Sequence, residues 1–184
     1  AVILVLILRN PYAGPSDIPP PVQELRAVPE TIQHEGKEGP VRIDLLADYR
    51  ISAAVKGRQP YSTDIAAQVS PLDLVLAWGA MNQPDVDAHI SYSQSGRWYH
   101  LRYDEDVPVT PDYITENTAN VHLIPSDGEI ASRLEGIRVN DYVTLEGQLV
   151  KVYFTAGTWT SSLSRQDSGD GACEILYVTR VRIG

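Results

Sequence analysis

The sequence predicts an α+β domain dominated by strands, a small antiparallel β-barrel-like body with two or three short helices. Three observations point to it. Stretches of alternating apolar and polar residues recur within 41–58, 89–104, 141–154 and 172–183. The strongest of them, "DYVTLEGQLVKVYF", carries Gly147 in its middle, which suits a bulge or a barrel bend. Helix-start signals, by contrast, are few: Ser70-Pro71, Thr110-Pro111, and Ser126 with Glu129 three residues on.

Taken in chain order, the first element is "AVILVLIL", eight apolar residues. A membrane helix needs about 20, so these eight do not span alone. Residues 1–9 read as the end of a membrane anchor or signal segment, with a buried strand as the alternative. Arg9 and Tyr12 suit an interface. Residues 10–40 hold seven of the thirteen prolines, with Pro19, Pro20 and Pro21 consecutive. Consecutive prolines favour an extended path of roughly 3 Å per residue. This stretch reads as a proline-rich linker, or as an arm packed along the domain, and residues 41–184 as a single β-rich domain.

Within that domain "VRIDLLADYRISAAVKGR" reads as two short strands or one long bent one. "SPLDLVLAWGAM" (70–81) reads as a buried helix: Ser70 can cap, Pro71 suits the first turn, and the middle is apolar all round. "HISYSQSGRWYHLRYD" is a hairpin turning at Ser95-Gly96. "TPDYITENT" starts a short helix, "NVHLIP" is a strand stopped by Pro125, and "SDGEIASRLEGI" begins with a capping box. "TWTSSLS" and "ACEILYVTRVRI" complete the antiparallel set.

Composition narrows the function classes. The formal charge is −9, and from residue 41 onward 19 acidic and 12 basic residues leave −7. Nucleic-acid binding rests on clustered Lys and Arg, so the balance argues against it. One cysteine allows neither an internal disulfide nor a multi-cysteine zinc site. The four histidines show no metal spacing, and no phosphate loop or dinucleotide fingerprint occurs, so no cofactor is implied.

Two stretches offer chemistry. "SRQDSGDGACE" groups Arg165, Asp167 and Asp170 around glycines, next to Cys173. It reads as a hairpin corner, with glycines supplying positive φ and aspartates bonding their own backbone. Cys173 as a nucleophile requires a base, and His122 with Asn120 nearby supplies the right residue types. A buried cysteine explains the same residue. "GRWYHLRYD" interleaves basic and aromatic side chains, so Arg97 and Trp98, with His100 and Arg102, form a candidate contact edge.

Five stretches, "SPLDLVLAWGAM", "ISYSQSGRWYHLRY", "TANVHLIPSDGEI", "VNDYVTLEGQLVKV" and "SSLSRQDSGDGACEILYV", resemble in this order a family of uncharacterised bacterial proteins. "PSDIPPPVQ" is similar to that family's post-anchor stretch. The resemblance covers roughly residues 15 to 184 and implies an architecture: an N-terminal hydrophobic segment, a proline-rich stretch, then one extracytoplasmic domain. It carries over no catalytic residue.

The expectation is a single-pass, membrane-tethered interaction domain on the periplasmic side. It is non-enzymatic and partnered by another membrane or envelope protein. Its contact residues are Arg97, Trp98, Arg165, Asp167 and Asp170. The alternatives are an enzyme using Cys173 with His122, and a small barrel binding an oligonucleotide or oligosaccharide through the Trp98 face.

Overall fold

The computed structural model describes residues 14–164 and 173–184. In chain order its strands are β1 (Val22–Gly36), β2 (Gly39–Pro60), β3 (Leu72–Ala77), β4 (Ile90–Ser95), β5 (Trp98–Tyr103), β6 (Thr118–Pro125), β7 (Tyr142–Phe154), β8 (Gly157–Thr160) and β9 (Glu174–Ile183). The helices are α1 (Pro84–Asp87), α2 (Pro111–Glu116) and α3 (Gly128–Glu135), with 3-10 turns at Ile65–Gln68 and Ala80–Asn82.

β2 organises the sheet because it is long and bends. Its first part pairs with β1 and β7, and its last residues pair with β3. From β3 the ladder passes to β6, then to β9, then to β7, which pairs back to β2. β8 adds to the outer side of β7, and β4 with β5 forms a separate hairpin. The β6–β9 pair is parallel. The expected all-antiparallel set is therefore a mixed sheet. α3, lying between β6 and β7, supplies part of the crossover that brings β9 alongside β6 in the same direction.

Alternation explains which side of each strand is inside. Val143, Leu145, Leu149, Ile51, Leu74, Leu123 and Leu176 share one apolar cluster. Each such side chain contributes about 1.5–3 kcal/mol by leaving water. Ile43, Ile124, Val150, Val152 and Ile175 form a second cluster, with Trp159 packed against it. Gly147 sits at a register shift between β7 and β9, where a Cβ would collide with the carbonyl oxygen of Tyr177. The expected bend is there, and only glycine admits it.

The helix read at 70–81 is instead β3. All six of its residues are buried. A strand covered on both faces is a continuous apolar run, which periodicity does not separate from a buried helix. Pairing decides it, because β2 and β6 bond it along both edges.

The linker reading of 10–40 also gives way over 22–36. These residues form β1, paired with β2 along two stretches separated at Leu25/Glu30. Pro29 falls in that gap, where the missing N–H costs no ladder bond. Ahead of β1, Ile18 is buried and exchanges two backbone bonds with Gly79, at 3.0 and 2.8 Å. Asn82 Nδ2 donates to the Pro15 carbonyl at 3.0 Å.

The other local readings fare better. Thr110 caps α2 by accepting from the Tyr113 N–H. α3 forms where expected, but its cap is Asp127, which accepts from Ile130 N–H, and not Ser126. Among the described residues, no helix is long and apolar enough to cross a membrane.

Candidate functional site

The site begins at the turn of the β4–β5 hairpin. The turn is Gly96-Arg97, one residue later than Ser95-Gly96, with φ of 57° and 73°. A two-residue hairpin turn of this hand requires two left-handed residues. Arginine there carries a steric cost of about 1–2 kcal/mol, so its surroundings must hold it.

They do so with nearly every donor it has. The Arg97 N–H donates to the Tyr61 hydroxyl at 3.0 Å, and the guanidinium lies 3.8 Å over the Tyr61 ring. Nε and Nη2 donate to the two oxygens of Asp64 at 2.9 and 2.8 Å. Nη2 also donates to the Ser70 carbonyl at 2.9 Å, and Nη1 to Asp73 Oδ1 at 2.7 Å. Asn120 Nδ2 donates to the Arg97 carbonyl at 3.0 Å, and Gln94 Nε2 donates to Asn120 Oδ1 at 2.8 Å.

Asp73 is the centre of this cluster. It sits on β3, its side chain wholly buried, directly opposite His122 on β6. His122 Nδ1 lies 2.9 Å from Asp73 Oδ2, off the angle of a hydrogen bond. The imidazole packs on Trp159 with centroids 4.7 Å apart. The fold thus spans Arg97, Asp73, His122 and Trp159 across four elements. Two other groups feel the cluster. Arg97 beside Asp64 holds that carboxyl below its ordinary range, aided by the Ala67 N–H. Burial pushes the Tyr61 phenol up.

Next to the cluster lies an open groove of about 360 Å³. Ile65 and Ala66 line one side, Gly157 and Thr158 of β8 the other, with Phe154 and Trp159 as aromatic walls. Asp64 and Arg97 supply its charged groups, and Arg97 is already matched by two carboxylates.

The sequence-predicted residues fall in different places. His122 and Asn120 join the Arg97 cluster. Cys173 is half-buried just ahead of β9, and its carbonyl accepts from the Ser162 N–H. No hydrogen bond among the described residues joins Cys173 to His122, whose Nδ1 is turned to Asp73. Arg97, expected as a contact residue, is drawn inward by Asp64, Asp73 and Ser70, which leave its side chain 15% exposed at the groove. Trp98, the next residue, is 42% exposed on the hairpin's outer face with His100 and Arg102. Arg165, Asp167 and Asp170 lie outside the described residues, as do residues 1–9.

Sequence reading missed Asp64, Asp73 and Trp159. Asp64 had a legible signal, a carboxylate three residues before Ala67, as an N-cap requires. Among the described residues, no three His, Cys, Asp or Glu side chains group as a metal would need.

Compared with protein-family models, curated proteins and solved structures, the chain matches none. Fold and site together define its class: a strand-dominated domain with a mixed sheet, a buried arginine–aspartate–histidine cluster and an aromatic groove beside it.

Proposed function

We propose that the chain is a membrane-tethered, non-enzymatic binding domain, an accessory subunit of a membrane or envelope complex with its body on the extracytoplasmic side. Its body is read as a small closed barrel of the oligonucleotide/oligosaccharide-binding geometry. The return of the ladder from β7 to β2, the parallel β6–β9 pair and α3 between β6 and β7 support that reading. In such barrels, ligands lie against the loop between the first two barrel strands and the loop between the last two. Here the first loop is residues 61–71, and the second starts at the β7–β8 turn.

The observation that carries the proposal is the open aromatic groove between those two segments. The Arg97 cluster serves it structurally, by pinning the hairpin turn and the 64–70 segment together beside the groove. Tethering is supported by the eight apolar residues at 1–8.

The test is site-specific photo-crosslinking in bacterial cells that make the full chain. A crosslinker at Ile65, 49% exposed on the groove rim, gives a discrete adduct in the membrane fraction. The same group at Arg180, outside the groove, gives none. Identical patterns from both positions defeat the groove as the binding face. The protein stays in the membrane fraction after a carbonate wash, and its release into the wash would defeat the tether.

A further inference from the structure

We infer that the groove takes an extended peptide segment of a partner protein, which adds as a strand to the free edge of β8 and seats an apolar side chain against Phe154 and Trp159. This rests on the groove being the binding face and says what chemistry fills it.

The backbone of β8 carries the first half. Phe154 pairs with Gly157 across a two-residue turn, then Tyr153 with Thr158, Val152 with Trp159, and Lys151 with Thr160. Just beyond, Ser161 N–H donates to the Val150 carbonyl at 2.9 Å. Bonded and non-bonded pairs alternate in an antiparallel ladder. Counting back from the Val150–Ser161 bond, Trp159 and Gly157 are the bonded positions. The N–H and C=O of Thr158 and Thr160 therefore point away from β7. Among the described residues β8 pairs with β7 alone. Thr158 also lines the groove, so this unpaired edge borders the space that has to be filled. Strand addition to such an edge supplies main-chain bonds, and a pocket beside it selects alternate side chains.

The groove's lining carries the second half. Its walls are Ile65, Ala66, Phe154, Ala156 and Trp159, with Asp64 as the exposed charge. A phosphate backbone needs uncommitted cations, and Arg97 has given its charge to Asp64 and Asp73. A sugar needs several polar groups per ring, and among the described residues only Asp64, Arg97, Thr158 and the Trp159 indole N–H offer side-chain hydrogen-bonding groups here. One arginine against the two carboxylates Asp64 and Asp73 leaves an excess of negative charge at this end of the groove, so an apolar side chain followed by a lysine matches both the walls and the charge.

The test uses the full chain, labelled with nitrogen-15, and four probes. These are a capped octapeptide alternating Val and Thr with one Lys, the same peptide with Asp for Lys, oligo-dT, and chitohexaose. The Lys peptide is expected to shift the amides of Thr158, Thr160 and Ile65, and to bind at least tenfold more tightly than the Asp peptide. Methylating the peptide amide that faces Thr158 is expected to weaken it at least tenfold. Thr158→Pro, which removes the outward N–H from an edge where proline is tolerated, is expected to do the same with the β7–β8 amide signals retained. If oligo-dT or chitohexaose shifts these amides and the peptides do not, the groove stands as a binding face and the peptide inference is overturned. Peptide binding unaffected by methylation also overturns it. If no probe shifts any of these amides, the inference and the groove reading fall together.

Discussion

Arg97 Nη1 donates to Asp73 Oδ1 at 2.7 Å, and the Asp73 side chain has no exposed surface. The bond joins the turn of a hairpin that forms its own two-stranded sheet to the middle of the larger sheet. Removing the cation strands a buried carboxylate, at a cost of about 3–5 kcal/mol. Arg97→Ala should therefore lower the unfolding free energy by that amount in a urea titration. Arg97→Ala with Asp73→Asn should recover part of it, because the two residues share one interaction. A loss under about 1 kcal/mol, the range of a surface ion pair, would show that the hairpin is held by something else.

Acid should loosen two different contacts. Asp44 is held low by the hydroxyls of Thr31 and Tyr153, at 2.6 and 2.7 Å, and by Arg42. Asp64 is held low by Arg97 first. Both folded values are depressed from the ordinary 3.8. Their stabilisation is thus present above pH 3.8 and is lost as pH falls through the folded values. Unfolding midpoints should drop as pH is lowered below about 4. In Asp44→Asn that drop should be shallower, and an unchanged slope would remove Asp44 as a cause.

The second buried ion pair behaves differently. Lys56 Nζ, its side chain 2% exposed, lies 2.9 Å from Asp87 and donates to Asn82 Oδ1 at 3.2 Å. Burial lowers the Lys56 pKa from 10.5, and Asp87 opposes the shift. The folded state therefore gains stability as pH rises through the window between that lowered value and 10.5. Asp87→Ala leaves a buried ammonium without its carboxylate and should cost about 3–5 kcal/mol, whereas Asp87→Ala with Lys56→Met, which removes both charges, should cost far less. Equal losses in thermal unfolding would mean that packing, and not charge, sets the cost.

Gly147→Ala tests the bend in β7. Its Cβ meets the Tyr177 backbone, which cannot rotate away as a side chain would. Overpacking of this kind costs about 1–3 kcal/mol, occasionally more, and this contact belongs at the upper end. Gly128→Ala, with open space at its Cβ, is the comparison, and similar midpoints for the two variants would contradict the close approach.

Cys173 separates the enzyme alternative from the rest. His122 is oriented by Asp73 and Trp159, so His122→Gln should leave the rate of Cys173 alkylation within about twofold. A tenfold slowing would restore the histidine as its base.

What the sequence disclosed was mostly local. The hairpin at 90–103, the capped α2, and the alternation of β7 each depend on residues a few positions apart, and each formed. β3 was lost because its burial is tertiary: apolar clusters cover both its faces, so apart from Asp73 it reads as one apolar run. The partner of Arg97 went unseen for the same reason, since Asp73 lies on that misread strand. β1 was hidden by Pro29 and the prolines ahead of it: an edge strand accepts Pro29 at a break in pairing, and an isolated reading takes the run for a spacer. His122 and Asn120 were picked as a pair with Cys173. The fold gives them instead to Asp73 and to the Arg97 carbonyl, partners that no spacing announces.

The two bonds between Ile18 and Gly79 have a mechanical meaning. With the Asn82–Pro15 bond they clasp residues 15–18 to the 79–82 turn, apart from the ladder of the larger sheet. Because Asn82 also receives the Lys56 ammonium, the clasp and a buried charge share one side chain. Displacing residues 15–18 would therefore be felt inside the domain as a change in electrostatics.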